Sequence, residues 1–187
     1  TTSYLANVDR TVNSVTITPT AVQGNASITV NSVPLGSGVT SGPVPLVQGL
    51  NVITIAVSAP EGPVTRIYTV NVVKPYVVTN SYSSGPGSLE AVIAAADADP
   101  YRDTILFEPY LNGTTIYTSS SAARFYIVHS LTIDASNLPN GITFDRLNQG
   151  NIMYLAGADY EIRNLKFTNG RGIQTSSGAA LTSKVID

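Results

Sequence analysis

Apolar and polar residues alternate in the first part of the chain, up to about residue 74. The alternation is clearest in four segments, at residues 15–18, 28–30, 53–57 and 68–72. Because successive side chains of a strand point to opposite faces, each segment predicts a strand with one apolar face and one polar, hydroxyl-rich face. Turn-forming residues separate the segments at 23–25, 31–32, 36–45, 48–49 and 61–63. This spacing predicts a small antiparallel β-sandwich over residues 1–74.

A helical pattern interrupts the strand patterns at residues 87–100. Its apolar residues follow the helical repeat i, i+3, i+4 and i+7: Leu89, Val92, Ile93 and Ala96. Ser88 can cap the first turn, Glu90 favours the positive end of the helix dipole, and Pro100 ends the pattern. We therefore predict a short amphipathic helix that covers the first turns of a second β unit.

The second part, residues 75–187, has shorter strand patterns and less regular turns. Strands are predicted at residues 105–107, 115–117, 126–128, 131–133, 142–144, 152–155 and 160–167. Two segments, 130–134 and 164–170, share a spacing of two apolar residues around one polar residue and lie 34 positions apart. Such an echo indicates successive coils of a solenoid.

Composition excludes several classes of function. The chain has 187 residues, of which 43% are hydrophobic and 12% charged, and its net charge is -2. It has no cysteine and one histidine, so disulfides, Cys-ligated metals and His clusters are not expected. Dispersed cations give no surface for nucleic acid, and the longest apolar run, residues 91–96, is far below the roughly 20 residues of a membrane span. No cofactor is predicted.

The first part resembles the bacterial cadherin-like β-sandwich domain. The resemblance rests on Leu46, the segment 49–55 (GLNVITI), Glu61-Gly62 and Tyr68-Thr69-Val70. Two departures are the Asn31-Ser32 turn, where that family usually has Asn-Gly, and a leading strand expected to be missing or cut before Thr1. The resemblance implies an Ig-like, extracellular, often tandemly repeated module without catalysis. Since Asp9 and Glu61 are the only acidic residues of this part, bound calcium is not predicted.

The second part resembles the opening of a right-handed parallel β-helix of large bacterial surface and secreted proteins. The pieces that carry the resemblance, in order, are residues 78–80, 85–89, 93, 103–107, 131–134 and 165–170. Glu90 stands where that pattern commonly has Arg. Residues 178–180 resemble the start of another coil, so we expect the native polypeptide to continue into further domains of the same protein.

Candidate catalytic residues are sparse. The charged residues considered are Asp134, Asp145, Asp159, Glu161 and Arg163. None forms a paired motif of the kind that polysaccharide-cleaving β-helix enzymes need, so a solvated coil surface is favoured. Asp134 is expected to cap a turn, and His129 is expected to be a turn residue without an acidic partner. We predict no catalytic or metal-binding residue.

Tyrosine is the abundant aromatic residue, with ten copies and no tryptophan. Flat rings can pack on sugar faces, and the candidates for glycan contact are Tyr101, Tyr110, Tyr117 and Tyr154. The alternative is that these are half-buried strand residues, for which tyrosine is favoured.

Two functional hypotheses follow. The first is a non-catalytic structural and interaction segment of a large secreted or cell-surface protein, in which a sandwich precedes a helix-capped β-helix and the partner is a glycan or a cell-surface protein. The second is the N-terminal accessory portion of a β-helical polysaccharide lyase or glycoside hydrolase.

Overall fold

The computed structural model describes residues 2–60, 64–98, 101–118, 125–157 and 159–176, and the backbone of 180–184. The chain divides into two units, Thr1–Lys74 and Pro75–Asp187. The predicted mainly β fold class is confirmed, with a sandwich in the first unit and parallel sheets in the second. The predicted turn at 61–63, Pro100 and residues 178–179 lie outside the described residues.

The first unit consists of one large and one small sheet. Its strands are β1 (Ser3–Asn7), β2 (Ser14–Val15), β3 (Ser27–Val30), β4 (Val33–Leu35), β5 (Val44–Pro45), β6 (Gly49–Ser58) and β7 (Thr65–Lys74). The large sheet has the order β1-β7-β6-β3-β4, and β2 pairs with β5. Val30, Leu46, Ile53 and Val72 are buried in the core of this unit. The predicted alternation therefore sets which face of the sheet is apolar.

The first strand corrects the prediction for the start of the chain. The strand β1 near the start of the chain pairs with β7 in parallel, so the predicted sandwich is not antiparallel throughout. Tyr4, Leu5 and Ala6 are all apolar or aromatic, and all residues of β1 are exposed, so its sequence lacks the two-residue alternation that marks the other strands.

The predicted turn at Asn31 and Ser32 is confirmed. Both residues have positive φ, 46° and 69°, and Val30 faces Val33 across a two-residue hairpin. The backbone N–H of Asn31 donates to the Thr54 carbonyl at 2.8 Å, and its Oδ1 accepts from the Thr54 N–H at 2.9 Å. These bonds to β6 hold the left-handed turn although serine replaces the usual glycine.

The second unit winds through three parallel sheets. Its elements are β8 (Tyr76–Val78), α1 (Leu89–Ala96), β9 (Asp103–Phe107), a 3-10 turn (Pro109–Leu111), β10 (Thr115–Tyr117), β11 (Phe125–Ile127), β12 (Leu131–Asp134), β13 (Ile142–Asp145), β14 (Met153–Leu155), β15 (Asp159–Arg163), β16 (Leu165–Thr168), β17 (Ile173–Thr175) and β18 (Ala180–Lys184). The first parallel sheet is β8-β9-β12-β15-β18, the second is β10-β13-β16 and the third is β11-β14-β17. The chain visits the sheets in this order repeatedly, which is compatible with the predicted β-helix.

The length of a coil changes along the second unit. Asp103 faces Leu131, Leu131 faces Tyr160 and Tyr160 faces Leu181, so this register repeats after 28, then 29, then 21 residues. The corner between the first and second parallel sheets spans residues 108–114, then 135–141, and then Asn164 alone. The coil that contains Asn164 is therefore shorter than the two before it, because its corner has one residue instead of seven while the strands stay aligned.

The predicted echo between residues 130–134 and 164–170 is wrong. Leu131 lies on β12 of the first parallel sheet, whereas Leu165 lies on β16 of the second and faces Ile142. The predicted strand at 160–167 is also two strands, because Asn164 has a φ of 54° and turns the chain between them. Its Nδ2 donates to the Leu138 carbonyl at 2.6 Å, which fixes this corner on the previous coil.

Stacked side chains fill the interior of the second unit. Rows of buried residues run across the strands, and they include Ile105, Ile116, Ile127, Ile133, Phe144, Leu155 and Ile162. The helix α1 packs against β8, β9 and β11 and buries all its predicted apolar residues in the same core. Ser88 caps it as predicted, since its Oγ accepts from the Ala91 N–H at 3.3 Å.

Candidate functional site

The four tyrosines proposed for glycan contact lie on separate elements. Tyr101 precedes β9, and Tyr110 lies in the 3-10 turn, where its hydroxyl donates to the Thr79 carbonyl. Tyr117 ends β10 in the second parallel sheet, and Tyr154 lies on β14 in the third. The first three have exposed fractions of 40%, 69% and 52%. They do not share one sheet face, so they do not make one platform in the arrangement that the structure describes.

The ring contact of Tyr154 is with Tyr126, which the sequence pattern does not select. The two residues face each other in the register of β11 and β14, with ring centroids 5.1 Å apart and ring planes inclined by 4°. Phe125 and Ile127 are buried on either side, so Tyr126 points outward and is 53% exposed. The spacing of 28 residues, one coil, is the signal in the sequence that could have revealed the pair.

The pair continues along the third parallel sheet. Gln174 on β17 follows Tyr154 in register, and its Oε1 accepts from Asn151 Nδ2 at 2.9 Å. We call Tyr126, Tyr154 and Gln174 the tyrosine strip. Stacking covers one face of each ring, and Gln174 occupies the next position in register after Tyr154. The strip thus combines apolar ring faces with groups that can donate and accept hydrogen bonds.

Three of the charged candidates come together on the outer face of the first parallel sheet. Arg163 Nη1 donates to Asp134 Oδ2 at 2.9 Å, and its Nη2 donates to Glu161 Oε1 at 2.7 Å. Arg102 Nη2 lies 3.6 Å from Glu161 Oε2. Two cations thus alternate with two carboxylates, and we call these four residues the charged cluster. The parallel register of β12 and β15 explains this arrangement, since Asp134 faces Arg163 on the next strand.

The other two acidic candidates have local contacts away from the charged cluster. Asp145 Oδ1 accepts from the Leu147 N–H at 2.8 Å, and its Oδ2 accepts from Asn169 Nδ2 at 2.9 Å. The Asp159 N–H donates to Ser130 Oγ at 3.2 Å. Asp145 therefore supports a corner of its coil.

The predicted turn-capping role of Asp134 is confirmed. Its Oδ1 accepts from the Ser136 N–H at 2.8 Å. Partial burial raises the pKa of Asp134, but hydrogen bonds from Ser136 and Arg163 outweigh this effect and hold the pKa below its ordinary value. Hydrogen bonds to Glu161 and Asp134 raise the pKa of Arg163. Both groups stay charged, and a carboxylate held ionised is a poor general acid at neutral pH.

The lowered pKa of Asp134 predicts an acid-dependent loss of stability. The ionised carboxylate stabilises the folded chain above its ordinary pKa of 3.8, and this contribution disappears as the pH falls through the lower pKa of the folded state. Between about pH 6 and pH 3 we expect the free energy of unfolding to fall more for the wild-type chain than for Asp134→Asn. Urea denaturation at each pH measures the free energy of unfolding. Equal losses in the wild-type chain and in Asp134→Asn would contradict a lowered pKa of Asp134.

A second variant tests the cause directly. Arg163→Met removes one donor to Asp134, so the pKa of Asp134 should rise towards its ordinary value in an NMR titration of the side-chain carboxyl carbon. An unchanged titration in this variant would assign the lowered pKa to Ser136 alone.

The prediction that His129 has no acidic partner is wrong. The carboxylate of Asp97, the C-cap of α1, accepts from the backbone N–H groups of Val128 and His129 at 2.9 and 2.8 Å. His129 Nδ1 lies 2.9 Å from the Asp97 carbonyl oxygen. Asp97 therefore joins the end of the helix to the bend after β11, which is a structural use of both residues.

The described residues contain neither a metal-binding cluster nor a membrane-spanning helix. Within those ranges, no three His, Asp or Glu side chains are grouped so as to hold a metal ion. None of the helical segments described has the length and apolar character needed to cross a bilayer.

Comparison with known proteins gives matches to the first unit. The family model for the cadherin-like beta sandwich domain matches residues 1–75. A protein of Evansella cellulosilytica named "Putative membrane protein" is 37% identical over 71 residues, which make up 38% of this chain and 10% of that protein. The chain thus matches about a tenth of the length of this relative. No solved structure matches significantly.

Proposed function

We propose that this cadherin-like sandwich and the parallel sheets after it form a non-catalytic structural and interaction segment of a larger bacterial surface or secreted protein. The tyrosine strip carries the proposal, because it joins the exposed Tyr126 and the half-buried Tyr154 in one stacked pair on hydrogen-bonded strands. Its partner would be a glycan, or a sugar-bearing protein of a cell surface.

The second unit would be the start of a right-handed parallel β-helix. Three parallel sheets visited in a constant order, and an interior filled by stacked apolar residues, support this assignment. Parallel strands joined by a crossover are right-handed in about 98% of cases, which supports the handedness. The helix α1 would cap the end of this stack, where it packs on β9 and β11.

An extracellular or cell-surface location fits the same proposal. The relative that matches the first unit is named as a membrane protein.

A glycan array probed with the purified chain tests the interaction. We expect binding to a subset of glycans, weakened roughly 3- to 10-fold by Tyr126→Ala or Tyr154→Ala, because each ring supplies stacking area. Tyr82→Ala is the matched control, since Tyr82 lies in the loop before α1 and is 71% exposed. Loss of binding in the control to the same extent, or no binding at all, would contradict the proposal.

One observation favours the enzyme hypothesis: the charged cluster lies on one face of a sheet. As the accessory portion of a lyase or glycoside hydrolase, the chain itself would still cleave nothing, and we expect no release of reducing or unsaturated ends from acidic or neutral polysaccharides. Turnover by this chain that Asp134→Ala abolishes would assign catalysis to the charged cluster and reject the non-catalytic proposal.

A further inference from the structure

The strand β1 is a bare edge of the large sheet in the first unit. In the described part of the chain its one neighbour is β7, and all five of its residues are exposed, with Leu5 at 65%. Natural edge strands are usually protected by charged residues, proline or bulges. Ser3–Asn7 contains no charged residue and no proline.

The direction of the backbone groups is fixed by the pairing with β7. The Thr2 carbonyl accepts from the Thr69 N–H at 2.8 Å, and the Val8 N–H donates to the Val73 carbonyl at 3.1 Å. In a parallel ladder, alternate residues bond to the same neighbour, so the even-numbered residues of β1 bond to β7. The N–H and C=O groups of Ser3, Leu5 and Asn7 therefore point away from the sheet.

The opposite edge of the same sheet is protected. In β4, Val33 closes the hairpin with Val30, so the backbone of Val33 and Leu35 points to β3 and that of Pro34 points outward. Proline has no N–H to offer to an incoming strand, which is how edge strands are commonly blocked. The sheet therefore has one closed and one open edge.

From this contrast we infer that β1 pairs antiparallel with β1 of a second copy of the chain, joining two large sheets into one. A two-fold axis at Leu5 places Leu5 opposite Leu5, and Ser3 opposite Asn7, of the other copy. Every outward N–H and C=O of the strand then finds a partner, since hydrogen-bonded residues of an antiparallel pair exchange both bonds. The outward groups are centred on Leu5, so one two-fold axis satisfies them all and the contact is isologous.

The side chains suit the same arrangement. Leu5 lies on the face of Asn71, and the two copies of Leu5 would meet there. On the other face, Tyr4 would lie opposite Ala6 of the second copy, which sets a large side chain against a small one at the closer, non-hydrogen-bonded position. No like charges are brought together, because the strand has none.

Complementary charges at Leu5 test the pairing in the full chain. By sedimentation velocity we expect a weak dimer of the wild-type chain, with a Kd on the order of 10–100 µM. Leu5→Lys and Leu5→Glu should each weaken it about tenfold, because like charges then face each other. An equimolar mixture of the two variants should associate more tightly than either alone, a result that only a contact between residue 5 and its own copy produces.

Val52→Lys is the matched control, because Val52 lies on the same face of β6 and is 54% exposed but not at the edge. It should leave the dimer within about twofold of wild type. Equal weakening by Val52→Lys, or no gain on mixing the Leu5 variants, would overturn the inference. A chain that stays monomeric at about 1 mM would also overturn it.

Discussion

Phe144→Ala is expected to lower the free energy of unfolding of the second unit by about 3–5 kcal/mol. Phe144 is 1% exposed, and its ring lies between Phe125, at 6.2 Å in an edge-to-face contact, and Phe167, stacked at 5.6 Å. Those partners belong to two other strands, so alanine would leave a cavity that local movement cannot fill. The loss combines the transfer of the ring with the unfilled volume.

Urea denaturation followed through amide NMR signals of residues 103–168 measures this change, because a chain of two units can unfold in more than one step. Tyr117→Ala is the control: Tyr117 lies on the adjacent strand β10 but is 52% exposed, and its loss should be within about 0.5 kcal/mol. Similar losses for both variants would show that Phe144 is not part of a closely packed core.

Asp97→Ala is expected to destabilise the second unit by about 1–3 kcal/mol. The variant leaves the N–H groups of Val128 and His129 without their acceptor; water can replace it at the exposed Val128 N–H, whereas the part-buried His129 N–H bears most of the cost. Amide hydrogen exchange is the direct measurement, and these two amides should exchange faster than those of β12.

Asp97→Asn is the matched variant, because it keeps an oxygen acceptor and removes the charge. We expect it to lose about half as much stability as alanine, since hydrogen bonds to charged groups are roughly twice as strong as neutral ones. If exchange at Val128 and His129 were unaffected by either substitution, the joint between α1 and β11 would not depend on Asp97.

Elements that depend only on neighbouring residues could be predicted from the sequence. The helix α1 could be predicted with its cap and buried face, because Ser88 and its apolar repeat lie within a few turns of the same segment. The left-handed turn at Asn31 is local in the same way. Strand β1 could not be predicted, since its pairing depends on β7, more than sixty residues later.

Features that join distant residues were missed or misplaced. Asp97 and His129 meet because a coil returns to the helix end, and nothing in either local sequence marks the contact. The spacing of 34 residues between segments 130–134 and 164–170 led to a wrong prediction of equivalent positions. Corners differ in length, so strands of similar sequence need not belong to the same sheet. The charged cluster could be predicted only as a set of candidates, since register alone places Asp134 beside Arg163.

The shrinking corners have a practical consequence for engineering. Strand alignment in the second unit tolerates a corner of seven residues at 135–141 and of one residue at Asn164, so alignment does not depend on corner length. Loop closure becomes only slowly less favourable as a loop lengthens. Epitope tags or cleavage sequences could therefore be grafted after Pro139, an exposed position of this corner, whereas Ala135 and Leu138 are buried in the core and must stay in place.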